Sequence, residues 1–282
     1  MSNAKVQIII PVFNAEKYIK KCLDSIKSQT FEDWQAIIID DASTDKSSDI
    51  INEYISDDNR YLYIKQNKNS GVSTSRNAAL AQLSSEYVAF LDADDYWEPD
   101  MLEAMIAKAE EYSCDVVQCR FIYDFPGNRT VLPKGAFDKD ILLTKNKLKS
   151  VYIKMMTGIN MNHVCMKLIR TSLINDARFD TSLRTAEDLK FCIELFKNVK
   201  SYYFINQAFY HYCRNEESLT GSSLSFKEKL RANRAVSDYL VKSLPCLGID
   251  NIFYRSLSRM RPYIIIFSKI FRILREKTIT KR

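Results

Sequence analysis

Three carboxylates within four residues, Asp92, Asp94 and Asp95, are the strongest chemical feature of the sequence. The apolar run 87–91 before them predicts a buried strand, and Pro99 after them predicts the first turn of a helix. Carboxylates this close repel one another unless a cation neutralises them, and an all-oxygen set suits Mg²⁺ or Mn²⁺. We therefore expect a site for a metal-bound diphosphate at the carboxyl end of a strand, the edge where open α/β sheets bind ligands.

Strands and helices alternate along the first hundred residues, and they position this cluster. Each predicted strand leads into a polar turn and then a helix. The predicted strands are 6–12, 34–39, 61–65 and 87–91. Such alternation implies right-handed βαβ crossovers, so we predict an α/β fold with a mostly parallel central sheet flanked by helices. The strand ends at Phe13, Asp41 and Asp92 should then line one edge of the sheet, and Asn14 is expected to cap the first helix.

The sequence from residue 100 onward predicts helices and strands that are longer and less regularly spaced. Helices are expected at 100–112, 139–156 and from 185 onward, and strands at 115–123, 163–170 and 202–212. From Phe226 the chain is predicted to be helical, with interruptions at 245–250 and at Pro262. These patterns divide the chain into an α/β domain at 1–220 and a helical extension at 221–282.

Composition limits the class of protein. The chain has 282 residues, 46% of them hydrophobic, which is enough for a large buried core. Its seven cysteines are scattered without a CxxC pair, which is typical of a reducing compartment. The sequence shows neither a secretory signal nor an apolar run near 18 residues, so we expect a cytoplasmic protein that does not span the membrane.

Positive charge is concentrated in the basic tail, residues 255–282. The tail holds nine basic residues and one acidic residue, whereas the net charge of the whole chain is +6, so the body is slightly acidic. Apolar residues among these cations are typical of a helix on an anionic membrane surface. The alternatives are a helix packed on the catalytic domain or on a second copy in a homodimer. An acidic body disfavours nucleic acid as a partner.

Six stretches, taken in order, closely resemble the family 2 glycosyltransferases, which are inverting enzymes of the GT-A fold that use nucleotide-diphosphate sugars. The stretches lie at 8–14, 40–45, 71–77, 92–97, 178–180 and 187–188, and they read IIIPVFN, DDASTD, GVSTSRN, DADDYW, RFD and ED. They fall within about residues 5–215. The family often has Gly where Ala42 stands, and the segment 210–214 (YHYCR) departs from the family's pattern after the last strand.

The resemblance implies a nucleotide-sugar site that includes Pro11 and Phe13, with Phe13 packed on the base. Asp41 is expected to accept a hydrogen bond from the base, and Arg76 to fix the nucleotide. The plain structural alternatives are a core position for Phe13 and a helix cap for Asp40 and Asp41.

The resemblance also implies roles for the acidic residues. Asp92 is expected to face the ribose or the donor sugar, and Asp94 to bind Mn²⁺ or Mg²⁺, with Asp95 as a further metal candidate. Asp188 matches the catalytic base, supported by Glu187, although two acids also suit an ordinary helix start. His211 is a candidate additional ligand to the catalytic metal, and the plain alternative is a packed or solvent-facing strand residue. A zinc site built from the two His-x-Cys pairs is disfavoured by their spacing.

The chemistry explains these residue types independently. A diphosphate leaves only if its developing charge is stabilised, and a hydroxyl attacks well only if a carboxylate takes its proton. We thus expect transfer of a sugar, by family frequency from a UDP-sugar, to a glycan or lipid-linked acceptor in surface polysaccharide synthesis. The alternatives are a catalytically silent nucleotide-sugar-binding scaffold and a sugar-1-phosphate nucleotidyltransferase, whose Gly-rich phosphate loop is missing after the first strand.

Overall fold

A computed structural model describes residues 4–144, 147–157, 161–214 and 225–264. The strands are β1 (Val6–Val12), β2 (Trp34–Asp40), β3 (Tyr61–Lys65), β4 (Tyr87–Phe90), β5 (Tyr96–Trp97), β6 (Val116–Phe125), β7 (Arg129–Val131), β8 (Ile141–Thr144), β9 (Lys167–Arg170) and β10 (Ser201–Cys213). The helices are α1 (Ile19–Lys27), α2 (Ser47–Ile55), α3 (Val72–Leu80), α4 (Met101–Glu111), α5 (Lys149–Thr157), α6 (Glu187–Phe196) and α7 (Phe226–Ser243). Residues 252–264 are also helical.

The N-terminal part of the sheet is parallel. β1 pairs with β2 on one side and with β4 on the other, and β2 pairs with β3, in each case in parallel. All residues of β1 and β4 are buried, and β2 is buried except at Gln35. Such continuous apolar strands are what a sheet covered on both faces requires. The predicted α/β class and the four predicted strands are confirmed.

The sheet becomes mixed beyond β4. Among the described strands the order is β3-β2-β1-β4-β9-β6-β10-β5, with β7 paired to β6 and β8 paired to β10. β9 runs antiparallel to both of its neighbours, β4 and β6, whereas β10 runs parallel to β6. The two-residue strand β5 pairs antiparallel with the end of β10, which brings the chain that follows the acidic cluster against β10.

Several local predictions were wrong. The stretch predicted as a helix at 139–156 begins as β8, because residues 141–144 pair with residues 201–204 of β10, and pairing of this kind overrides a helical pattern. The strand predicted at 163–170 begins only at Lys167. Asn14 does not cap α1, because that helix begins only at Ile19. The side-chain oxygen of Asn14 instead accepts the backbone N–H of Thr44. The helix at 252–264 continues through Pro262.

The described part of the predicted helical extension packs on the rest of the chain. Ser225 and Glu228 form a capping box that starts α7. In the helix at 252–264, the buried Arg261 donates to the Met155 carbonyl oxygen of α5 at 3.4 Å and to the Asn233 side chain of α7 at 3.0 Å. Residues 265–282, most of the basic tail, lie outside the described residues. Within the described ranges, no helix combines the length and the apolar character needed to cross a membrane.

Candidate active site

A buried arginine joins the sheet edge to helix α6. Arg76 lies on α3 and is 3% exposed. Its Nη1 donates to Asp188 Oδ1 at 2.7 Å and its Nη2 to Asp92 Oδ1 at 2.8 Å, while Glu187 Oε1 lies 3.7 Å from Nη1. Burial opposes the charge of the guanidinium, but Asp188 and Asp92 outweigh it and hold the pKa of Arg76 well above its usual value. Three predicted motifs therefore meet at one side chain.

Asp188 is held at the first turn of α6. The residue before the helix, Ala186, has a φ of 65°, a left-handed conformation that costs a non-glycine residue free energy and often occurs at functional sites. The second oxygen of Asp188, Oδ2, accepts the backbone N–H of Val164 at 3.3 Å. Burial, followed by the charge of Asp188, raises the pKa of Glu187 to about 7. The first turn of α6 thus carries one carboxylate fixed on both sides and one that titrates near neutral pH.

The acidic loop, residues 92–95, combines accessible and enclosed carboxylates. Asp92 and Asp94 are partly exposed, whereas Asp95 is 2% exposed. The Asp95 carboxylate accepts the Tyr210 hydroxyl at 2.5 Å and the Cys213 N–H at 2.8 Å. Burial, with the charges of Asp94 and Asp92, raises the pKa of Asp95 well above its usual value. The loop therefore offers its first two carboxylates to a ligand and turns the third inward.

The nucleotide side of the predicted site lies at the ends of β1 and β2. Phe13 follows β1 and is 41% exposed, so it is not a core residue. Pro11 lies within β1 opposite Ile39 of β2. Asp41 follows β2, and its two carboxylate oxygens accept the backbone N–H groups of Ser70 and Gly71 at 2.8 and 2.7 Å. These contacts hold the turn before α3 against β2.

Two predicted residues have different surroundings from those expected. The described hydrogen-bond partners of the Arg76 guanidinium are the carboxylates of Asp92 and Asp188, so Arg76 positions both of them. His211 on β10 has a carboxylate at each ring nitrogen, Glu98 at 2.7 Å and Asp124 at 3.1 Å. Within the described ranges, no group of three or more His, Cys, Asp or Glu residues is arranged to hold a metal ion unaided.

Sequence reasoning missed two residues that support the site. Asn77 exchanges two hydrogen bonds, of 2.9 and 2.8 Å, with the backbone of Phe179, which fixes the RFD stretch on α3. Lys167 is fully buried and donates to the carbonyl oxygens of Met161, at 3.0 Å, and His163. Burial lowers the pKa of Lys167. Its signal in the sequence was a lysine inside the apolar run 164–169.

Comparisons with known proteins identify the family to which the chain belongs. The family model described as Glycosyl transferase family 2 matches residues 7–177. The chain belongs to glycosyl transferase family 2. A family 2 relative, Glycosyltransferase GlyA of Streptococcus pneumoniae, is 30% identical over 224 residues, which are 77% of this chain and 31% of GlyA. Cholesterol galactosyltransferase of Borreliella burgdorferi is 28% identical over 278 residues, covering 95% of this chain and 76% of that protein.

The fold is also shared with a solved protein structure. The crystal structure of Staphylococcus aureus TarS in complex with UDP-GlcNAc aligns with a TM-score of 0.72 at 24% identity, over 92% of this chain and 70% of the TarS chain. This likeness confirms the predicted GT-A fold. The chain spans about a third of GlyA and about three fifths of two other curated relatives.

Proposed function

We propose that this family 2 glycosyltransferase is a metal-dependent inverting enzyme. It moves a sugar from a nucleotide-diphosphate donor, a UDP-sugar, to a hydroxyl of a glycan or lipid-linked acceptor in surface polysaccharide synthesis. The observation that carries the proposal is the bridge from Asp92 through Arg76 to Asp188, with both bonds under 3 Å. The bridge places one carboxylate at the donor edge of the sheet and another facing it from α6, as a transfer between two substrates requires.

The donor side rests on two groups at the strand ends, the exposed ring of Phe13 and the buried carboxylate of Asp41. Phe13 presents an open aromatic face on which a base can stack, and Asp41 is held beside it by two backbone N–H groups. TarS, which shares the fold, was crystallised with UDP-GlcNAc. These features support a uridine nucleotide on this edge.

The acidic loop fits a hard divalent cation. Asp94 is partly exposed, its oxygens suit Mg²⁺ or Mn²⁺, and Asp92 beside it is oriented by Arg76. We assign Asp94 to the metal and Asp92 to the ribose or donor sugar. When bound, the cation would stabilise the charge of the leaving diphosphate.

Asp188 acts as the general base. Arg76 occupies its Oδ1 at 2.7 Å, whereas Oδ2 is held only by the longer 3.3 Å contact with Val164 N–H. Oδ2 is therefore the oxygen that takes the proton of the acceptor hydroxyl. Attack from the side opposite the diphosphate inverts the configuration at the anomeric carbon.

The test is release of free nucleoside diphosphate from UDP-, GDP- and dTDP-sugars with Mn²⁺. We expect one donor to be consumed by the wild type and by Asp49→Asn, a control that removes an exposed carboxylate on α2, but not by Asp94→Asn. Binding of UDP with Mn²⁺ but no turnover with any donor or acceptor extract would favour the silent scaffold. A product that retains the donor's anomeric configuration would exclude inversion.

We also propose that the helix at 252–264 contacts an anionic membrane surface. One face is buried through Tyr254 and Arg261, and the opposite face exposes an apolar stripe: Ile252, Phe253, Met260 and Tyr263. The helix carries arginines and no acidic residue, so its charge complements anionic lipid. A lipid-linked acceptor fits this location, as does the name of the Borreliella burgdorferi relative, a cholesterol galactosyltransferase.

Vesicle co-sedimentation tests the membrane contact. We expect binding to phosphatidylglycerol vesicles but not to phosphatidylcholine vesicles. The double variant Ile252→Asp, Met260→Asp should weaken binding at least tenfold, whereas Leu132→Asp, an exposed apolar residue elsewhere, should not. Unchanged binding of the double variant, or a dimer that it dissociates, would contradict the proposal.

A further inference from the structure

We infer that Asp95 and His211 anchor the acidic loop to β10 and are not metal ligands. The inference rests on the proposed metal-dependent function and narrows its candidate ligands from Asp94, Asp95 and His211 to Asp94. Both excluded side chains already use the atoms that would bind a metal.

Both ring nitrogens of His211 already have a carboxylate partner. Its Nε2 lies 2.7 Å from Glu98 Oε1 and its Nδ1 lies 3.1 Å from Asp124 Oδ2, and the residue is 7% exposed. Each ring nitrogen therefore already has a carboxylate oxygen within hydrogen-bond distance. A metal could reach either nitrogen only by displacing that carboxylate.

The ring of His211 is also fixed from its face. It stacks on Tyr96 with centroids 4.2 Å apart and planes 13° apart, and the Tyr96 hydroxyl donates to Asp124. The amine of Lys21 lies on the Tyr96 ring, 3.3 Å from its centroid. Turning the imidazole toward the acidic loop would lose the stacking as well as the hydrogen bonds.

Asp95 is held from β10 as well. Its two oxygens accept from the Tyr210 hydroxyl and the Cys213 N–H, and it is 2% exposed. Tyr210 and His211 are adjacent in β10, and adjacent side chains of a strand point to opposite faces of the sheet. Tyr210 therefore hydrogen-bonds to Asp95 on one face of the sheet, while His211 contacts Glu98 on the other face.

The backbone completes the anchor. Tyr96 and Trp97 pair with His211 and Tyr210, and the Glu98 N–H donates to the Phe209 carbonyl oxygen at 2.8 Å. The segment that directly follows Asp94 is thus fixed along the end of β10 by side chains and main chain together. This anchor sets the position of Asp94 without contributing a ligand.

The decisive experiment is electron spin-echo spectroscopy of Mn²⁺ bound to the full chain with UDP. A histidine nitrogen bound directly to Mn²⁺ gives a nitrogen modulation, and the chain has only two histidines, His163 and His211. We expect no such modulation in the wild type, or one that only His163→Gln removes. A modulation that His211→Gln removes would overturn the inference.

Thermal unfolding without metal tests the anchor independently. His211→Gln should lower Tm by about 5 °C, because it removes the ring that stacks on Tyr96 together with its contacts to Glu98 and Asp124. His163→Gln is the matched control, since that side chain is exposed, and its Tm should stay within about 1 °C of the wild type. An unchanged Tm for His211→Gln would refute the anchor. If Mn²⁺ fails to bind at all, the proposed metal dependence fails, and this measurement still decides the anchor.

Discussion

The two halves of the sheet use the side chains near their strand ends in different ways. In the parallel half, β1 to β4, the groups at the strand ends either stay open, as Phe13 does, or bind nearby backbone, as Asp41 does. In the mixed half, charged side chains bind one another across long stretches of chain, as His211 does with Glu98 and Asp124. On the proposed function, the first half offers the surface for the nucleotide, whereas the second fixes the geometry of the charged groups.

The largest expected effect would separate the two halves functionally. Asp188→Asn should lower kcat by about 10²–10⁴-fold, because the variant keeps the shape of the side chain but cannot take a proton. UDP affinity, measured by calorimetry, should change less than threefold, since the proposed base site belongs to the other half. An equal loss of turnover and of UDP affinity would show that the halves are not independent.

The next effect concerns the bridge between the halves. Arg76→Met should lower the free energy of unfolding by about 2–4 kcal/mol, because Asp92, Asp188 and Glu187 would face one another without their cation. Urea denaturation measures it. Arg255→Met, which removes an exposed arginine paired with Asp250, is the control and should leave the free energy of unfolding almost unchanged. Equal losses would mean that the bridge contributes no more than a surface pair.

Stability should also depend on pH through Glu187. Its pKa is about 7 in the folded chain and 4.5 for an ordinary glutamate, so the folded state holds the proton more tightly. Stability from this group is therefore complete below pH 4.5 and is lost as pH rises through 7. Glu187→Gln should gain about 1–3 kcal/mol relative to the wild type between pH 5 and pH 8. A constant difference between the two proteins across that range would contradict the assignment.

The smallest effect concerns the turn after β2. Ala42 has a φ of 60°, which glycine adopts without steric cost. Ala42→Gly should raise stability by up to about 1 kcal/mol, partly offset by the greater freedom of the unfolded chain. Ala104→Gly within α4 should instead lower it by about 1 kcal/mol. Destabilisation by both variants would show that packing of the Ala42 methyl group stabilises the fold by more than its backbone strain costs.

The accuracy of the sequence-based predictions also differed between the parallel and the mixed half of the sheet. The strands of the parallel half were predicted closely because each is followed by its own crossover helix, so local periodicity carries the information. The stretch 139–156 was mispredicted because residues 141–144 pair with β10, about sixty residues later, and such a partner leaves no local trace. The meeting of Asp92 and Asp188 was predicted through the family resemblance, but the role of Arg76 between them was not, since spacing says nothing about which charges become buried together.

The distance along the chain between Arg76 and Asp188 also bears on how the protein is made. The two residues are 112 positions apart. At about 5–20 residues per second, a ribosome needs roughly 5–20 s to add that length. During this interval the Arg76 side chain lacks its α6 partner, and burying a guanidinium without it is costly. We therefore expect α3 to settle onto the sheet only after α6 has left the ribosome, so that the catalytic centre is among the last parts of the nascent chain to become ordered.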